Sequence, residues 1–263
     1  MMNRGSKYAL LPVYLVLDTS YSMEDDNKFD AALSFLPKLL SCMTGSSSLS
    51  DKIRVELITF DDEARVELAL GGLNEMEKWM LHNKKDPIMP KGDATYYGKA
   101  FEKLKSRIQL GVRQIQDEKI GDDNFKAYRP VVFFITDGAP NDIASVRSEA
   151  YAKLTSQNFE YRPNIVCVGV GEAKHEDLAG YGAGRQNSPT GAYITGNDRL
   201  VIVPRDGILS STALNAIIPA LVTTIVKSFN NSAHLDNFSG VPDLFGTQDD
   251  LDDLIDKIDW GDE

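Results

Sequence analysis

Two short stretches restrict this chain more than any others. Residues 13–17 (VYLVL) and 131–135 (VVFFI) are unbroken apolar runs, and each ends in an aspartate within two residues, Asp18 and Asp137. A strand that is apolar on both faces has to be covered on both faces, so such runs mark the central strands of a parallel sheet flanked by helices. Both strands then deliver a carboxylate at their carboxyl ends.

The intervening residues support the same architecture. Phe29, Ala32, Leu33, Leu36, Leu39 and Leu40 recur at helical spacing, which predicts an amphipathic helix over 27–42 with an irregularity at Pro37 and a Gly-Ser close at 45–48. Residues 53–60 and 64–70 flank an Asp61-Asp62 turn and read as a hairpin with one antiparallel strand. A second helix is expected over 96–115, with apolar residues at 97, 100, 101, 104, 108 and 112, followed by a solvated polar loop over 116–129. A helix over 143–157, strands at 164–170 and 200–203, and a last helix over 208–229 complete the series. The fold class is α/β: a doubly wound, mostly parallel sheet with helices on both faces and one antiparallel edge strand. In such sheets ligands bind outside the carboxyl ends of the strands, where the strand order reverses.

Charge separates a body from a tail. The 263 residues carry a net charge of −11, but residues 231–263 hold ten acids and one lysine, which leaves 1–230 at −2. We therefore expect a domain over 1–230 and an acidic tail over 231–263. Binding to a nucleic-acid backbone is disfavoured. In the tail, Leu251, Leu254, Ile255 and Ile258 fall on one helical face among aspartates. That short helix can fold back on its own body, dock in a second partner's groove, or offer a carboxylate to another molecule, and Trp260 favours docking. Cys42 and Cys167 lack any C-x-x-C spacing, so a reduced, buried pair in a reducing compartment is expected. The N-terminus does not resemble a signal peptide, and the most apolar stretch, 213–226, is about 14 residues long against the about 20 needed to span a bilayer. The expectation is a cytoplasmic protein without membrane contact.

Asp18 and Asp137, set side by side, would repel. A divalent cation relieves that repulsion, and Ser20 and Ser22 supply the neutral oxygens that a hard cation takes, with no His or Cys nearby in sequence to compete. Mg²⁺ is the natural occupant, with Mn²⁺ the alternative. The residues leave a second reading open, in which Asp18, Ser20 and Ser22 simply cap the helix that follows. Other motifs lapse. Residues 92–100 (GDATYYGKA) have five residues between their glycines and Ala after the Lys, so they do not form a phosphate loop. Gly169-Val170-Gly171 lacks the third glycine of a dinucleotide fingerprint, since Lys174 stands there. His82, His175 and His234 share no ligand spacing. Asp61, Asp62 and Glu63 read as a solvated hairpin tip, with a rim contact for a partner as the alternative.

The sequence Asp18-Thr19-Ser20-Tyr21-Ser22 resembles the D-x-S-x-S signature of the von Willebrand factor A domain, its metal-ion-dependent adhesion site. Gly92-Asp93-Ala94-Thr95 is similar to the second loop of that site and Ile135-Thr136-Asp137-Gly138 to the third. The resemblance covers about residues 8–229, and the wording VYLVLDTSYSM, ATYYGKAF and VVFFITDGAPND is similar to the bacterial tellurium-resistance TerY-type branch. It implies that Ser20 and Ser22 bind the ion directly, that Asp18 and Asp137 act mainly through water, and that Thr95 binds directly or through water. It also implies that an Asp or Glu of a protein partner completes the coordination. The implied role is an adaptor in a bacterial stress or defence system, without catalysis. The rival is a Mg²⁺-dependent phosphatase or phosphotransferase with Asp18 as nucleophile; Ser20 stands where such enzymes are expected to carry a second Asp.

Overall fold

A computed structural model describes residues 9–44, 51–118, 126–185, 193–197 and 200–203. The predicted helix over 208–229, the tail helix and Trp260 lie outside the described residues, as does the Gly-Ser stretch at 45–48.

The two apolar runs are neighbours at the centre of the sheet. β1 (Ala9–Asp18) pairs parallel with β2 (Ile53–Phe60) on one side and with β5 (Val131–Thr136) on the other, Leu17 standing opposite both Thr59 and Ile135. β6 (Asn164–Gly169) adds to β5 in the same direction. Beyond β2 lies β3 (Ala64–Gly71), antiparallel, as the hairpin pattern predicts. A two-residue strand, β4 (Lys126–Ala127), extends the lower end of β1. At the far edge β6 is met by antiparallel β7 (Ala183–Arg185), which pairs with β8 (Tyr193–Thr195), and by parallel β9 (Val201–Ile202). Antiparallel pairing therefore closes both edges of the sheet, one more than the sequence indicates.

Side-chain alternation explains why this sheet needs two helical layers. Leu11, Val13, Leu15 and Leu17 of β1, with Val131, Phe133 and Ile135 of β5, face one layer formed by α1 (Lys28–Leu33), α2 (Phe35–Thr44) and α3 (Leu73–Asn83). Tyr14, Val16, Val132 and Phe134 face the other, formed by α4 (Tyr97–Glu118) and α5 (Ala144–Thr155). The expected stripe of α4, Tyr97, Ala100, Phe101, Leu104, Ile108 and Val112, is fully buried. Apolar surface contributes about 25 cal/mol per Å² removed from water, so these two cores do most to hold the sheet between its helices. Among the described residues no helix is long and apolar enough to cross a membrane.

Several local expectations are corrected. The first helix is split: α1 ends at Leu33, Ser34 is a turn, and α2 begins at Phe35. Pro37 explains the break, because it has no N–H to give to Leu33 and its ring crowds that carbonyl. The segment 116–129 is not a solvated loop throughout, since α4 runs to Glu118 and Tyr128 and Arg129 are buried after β4. Two helices are additional to those expected, the single-turn α6 (His175–Leu178) and α3, although Leu73, Met76, Trp79 and Met80 of α3 recur at helical spacing. Cys167 is buried and free on β6, and burial raises its thiol pKa, so it is an inert core residue.

Candidate metal centre

At the carboxyl edge of the sheet, three loops converge on the gap between β1 and β5. This is the switch point of the sheet, since the chain leaves β1 toward β2 and returns through α4 to β5 on the opposite side.

The first loop follows β1. Asp18 is wholly buried, and both of its oxygens meet neutral donors: Oδ1 accepts from the backbone N–H of Ser20 at 2.8 Å and Oδ2 from the hydroxyl of Thr136 at 2.5 Å. Burial pushes its carboxyl pKa up to about 6, with the nearby Asp137 adding to the rise and the two hydrogen bonds opposing it. Ser20 sits at the N-cap position of the 3₁₀ turn Tyr21–Asn27, yet its side chain makes no capping bond. Its hydroxyl instead lies 3.1 Å from that of Ser22, which donates to Oδ1 of Asp137 at 2.8 Å. The capping reading therefore does not describe the side chain of Ser20, and the hydroxyl of Ser22 turns to the third loop, while Asp18, accepting from the N–H two residues on, does make a contact of the capping kind.

The second loop enters through Gly92, which forms a parallel bridge with Ser20 and accepts a hydrogen bond from the N–H of Tyr21 at 2.9 Å. A Cβ on Gly92 would stand 2.0 Å from the Cβ of Asp61, so any larger residue there would push the second loop out of place. Thr95 is buried, its N–H donating to Oδ1 of Asn141 at 2.8 Å and its carbonyl accepting from the N–H of Asn141 at 2.9 Å. The third loop supplies that Asn141, four residues after Asp137. Asp142 accepts from the N–H of Gly98 at 2.7 Å and so caps the first turn of α4 from outside the helix. Tyr97 donates to the carbonyl of Gly138 at 2.7 Å. The second and third loops are thus tied together on either side of Thr95 and Asp137.

The structure brings Asp18, Ser20, Ser22 and Asp137 into one hydrogen-bonded set and fastens the Thr95 loop against it. Sequence reasoning missed several supporting side chains. Lys28 ion-pairs with Asp137, Nζ to Oδ2 at 3.1 Å. Asp61 is not at a solvated tip: it is fully buried, accepting from Thr19 Oγ1 at 3.1 Å, from the N–H of Glu63 at 2.9 Å and from Arg65 at 2.7 Å. Arg65 and the Glu63 amide hold its carboxyl below the usual range against the cost of burial.

Among the described residues no group of three His, Cys, Asp or Glu side chains is gathered as a metal site. The donors present are instead two carboxylates and serine and threonine hydroxyls, all oxygen, which suit a hard divalent cation and exclude the sulfur and imidazole chemistry of zinc fingers. The buried Asp18, met only by neutral donors in the bonds above, is a negative charge that such a cation would relieve.

The model of the von Willebrand factor type A domain matches residues 13–194, more than half of the chain. The chain belongs to this family. Metal-dependent protein binding through a metal-ion-dependent adhesion site is a common role of von Willebrand factor type A domains. Proximal thread matrix protein 1 of the mussel byssus shares the fold at a TM-score of 0.56 and 14% identity, over 82% of this chain and 48% of that one. A second structure of that mussel protein, at TM-score 0.53 and 16% identity over 82% and 46%, has zinc in its metal-ion-dependent adhesion motif. The pilus adhesin SpaC of Lactobacillus rhamnosus GG matches at 0.58 and 14% identity, over 86% of this A domain chain and 32% of the adhesin. The chain therefore spans about half the length of the first and a third of the second. Among curated proteins none matches it.

Proposed function

We propose that this A domain is a metal-dependent binding module in which Asp18, Ser20, Ser22, Thr95 and Asp137 hold one divalent cation, Mg²⁺ or Mn²⁺, that receives an Asp or Glu of a protein partner. The observation that carries the reading is the continuous oxygen set from Ser20 through Ser22 to Asp137, with Asp18 beneath it and the Ser20 hydroxyl not spent on capping. When bound, the ion would supply positive charge to which a carboxylate can bind. Ser20 and Ser22 present neutral oxygens to it, so its charge is only partly cancelled and an anionic side chain gains by approaching. Zinc in the mussel protein's adhesion motif is consistent with this assignment.

The surroundings suit protein docking. Tyr21 of the first loop, Met89 ahead of the second and Ile143 after the third are 54%, 55% and 71% exposed, large apolar side chains on segments of the same edge. Exposed apolar residues around a charged centre are what a partner's hot spot uses. The wording of its motifs is similar to that of the bacterial tellurium-resistance branch, and on that similarity we assign it a cytoplasmic adaptor role in stress resistance or defence. In this reading residues 1–230 are the binding domain, and the acidic tail over 231–263 docks separately, on its own body or on a second partner.

The phosphatase reading loses ground. A nucleophilic carboxylate must be reachable, but Asp18 has no exposed surface and both oxygens are bonded to Thr136 and Ser20. The test is capture of partner from native lysate by the full chain with Mg²⁺, with chelator, and by Asp18→Ala with Mg²⁺. A protein retained only in the first arm, and released by excess acetate, supports the proposal; equal recovery in all three arms refutes it.

A further inference from the structure

Lys28 is the first residue of α1, yet its side chain turns back into the metal-site edge. Its Nζ lies 3.1 Å from Oδ2 of Asp137 and 3.1 Å from the carbonyl oxygen of Ser22. The other oxygen of Asp137 accepts from Ser22 Oγ at 2.8 Å, so the ammonium and the hydroxyl divide the carboxylate between them. The pair is enclosed, with the two side chains 11% and 1% exposed.

This placement is built into the backbone. Asp26 and Asn27 both take left-handed conformations, φ 52° and 57°, immediately before α1. Two successive non-glycine residues there are costly, and Asp and Asn are the side chains that tolerate it best. The reversal they make starts α1 with Lys28 at the site. From the other side the lysine stem lies against Gly171, where a Cβ would stand 2.5 Å from Lys28 Cε.

The charge count gives this contact a purpose. Asp18 and Asp137 alone would set the site at −2, and a divalent cation would bring it to zero. With Lys28 the site stands at −1, and the same cation leaves it at +1. We propose that Lys28 is a fixed counter-charge that weakens cation binding and strengthens capture of a carboxylate, setting the site as an anion receptor rather than a cation store. The inference rests on the metal-site reading above and deepens it. Lys28 acts through Asp137 as a positioning and charge-setting residue.

Mn²⁺ serves as the probe, with free Mn²⁺ followed by electron paramagnetic resonance and acetate binding to the loaded full chain followed by water-proton relaxation. Lys28→Met, which keeps the stem and removes the charge, is expected to bind Mn²⁺ about tenfold more tightly while needing severalfold more acetate for half-saturation. Lys28→Arg, which keeps the charge, stays closer to the wild type in both. Thermal unfolding in chelator confirms that the variants are folded. Unchanged or weaker Mn²⁺ binding by folded Lys28→Met, or unchanged acetate affinity, overturns the proposal. A wild-type protein that binds no Mn²⁺ overturns the metal site itself, which is a separate and recognisable result.

Discussion

Ser22 Oγ donates to Oδ1 of Asp137 at 2.8 Å across 115 residues of sequence, joining the loops that follow β1 and β5. Ser22→Ala removes this bond and the contact with Ser20. A typical hydrogen bond contributes about 1 kcal/mol, so the fold should survive, with a drop in unfolding free energy of about that size in urea. Mn²⁺ affinity should fall at least about tenfold, since an oxygen donor is lost. Retained affinity in a folded variant would remove Ser22 from the site.

Asp18 makes the metal-free protein sensitive to pH. Its folded-state pKa, about 6, lies above the ordinary carboxylate value of 3.8, so the folded chain holds the proton more tightly than the unfolded chain. The cost is absent below about pH 4, grows as pH rises to about 6, and reaches about 3 kcal/mol above that. In chelator, wild-type stability should fall from pH 5 to 7.5 more than that of Asp18→Asn, measured by thermal unfolding. Added Mg²⁺ should restore stability at pH 7.5 and do little at pH 5. Parallel pH profiles for the two proteins would contradict the assignment.

Gly92→Ala should fail for a steric reason. The new methyl group would meet the Cβ of buried Asp61 at 2.0 Å, and Asp61 is itself fixed by Thr19 and Arg65. Overpacking of this kind costs about 1–3 kcal/mol and should displace the second loop from Ser20. Circular dichroism should show the sheet intact while Mn²⁺ binding weakens; wild-type affinity would show that this loop is dispensable.

Far from the metal edge, Glu56 is fully buried on β2 and held by Arg107 of α4, Nε to Oε1 at 2.5 Å and Nη2 to Oε2 at 3.1 Å. It also accepts from the N–H of Leu70 at 3.2 Å, beside the register shift between β2 and β3. Burial raises its carboxyl pKa and Arg107 opposes the rise. Arg107→Ala strands the charge and should lower stability by about 3 kcal/mol or more in urea unfolding, whereas Glu56→Gln with Arg107→Met should recover most of it. Mn²⁺ affinity should stay within about twofold in both, because this pair supports the sheet rather than the site.

The sequence was legible where burial alternates or saturates. VYLVL and VVFFI are apolar on both faces because both faces are covered, and the α4 stripe is continuous because all of it packs on the sheet. α3 is legible too, though more faintly: Leu73, Met76, Trp79 and Met80 recur at helical spacing, but only Met76 is fully buried and the others lean on the core among charged neighbours. The serines and aspartates of the site were visible as a motif, but their supports were not. Asp61 looks like a solvated turn residue until Thr19 and Arg65 are folded around it. Lys28 depends on two left-handed residues, and Asn141 and Asp142 on backbone amides of another loop. Contacts between side chains and distant backbone leave no periodic trace.

Whether three loops hold one hard cation is decided most directly by a crystal of the full chain grown with Mn²⁺ and its anomalous difference map. A single strong peak within bonding distance of Ser20 Oγ and Ser22 Oγ, with a position open to solvent, is the expected result. A map without that peak at saturating Mn²⁺, or with the ion seated elsewhere on the chain, would contradict the metal-site assignment.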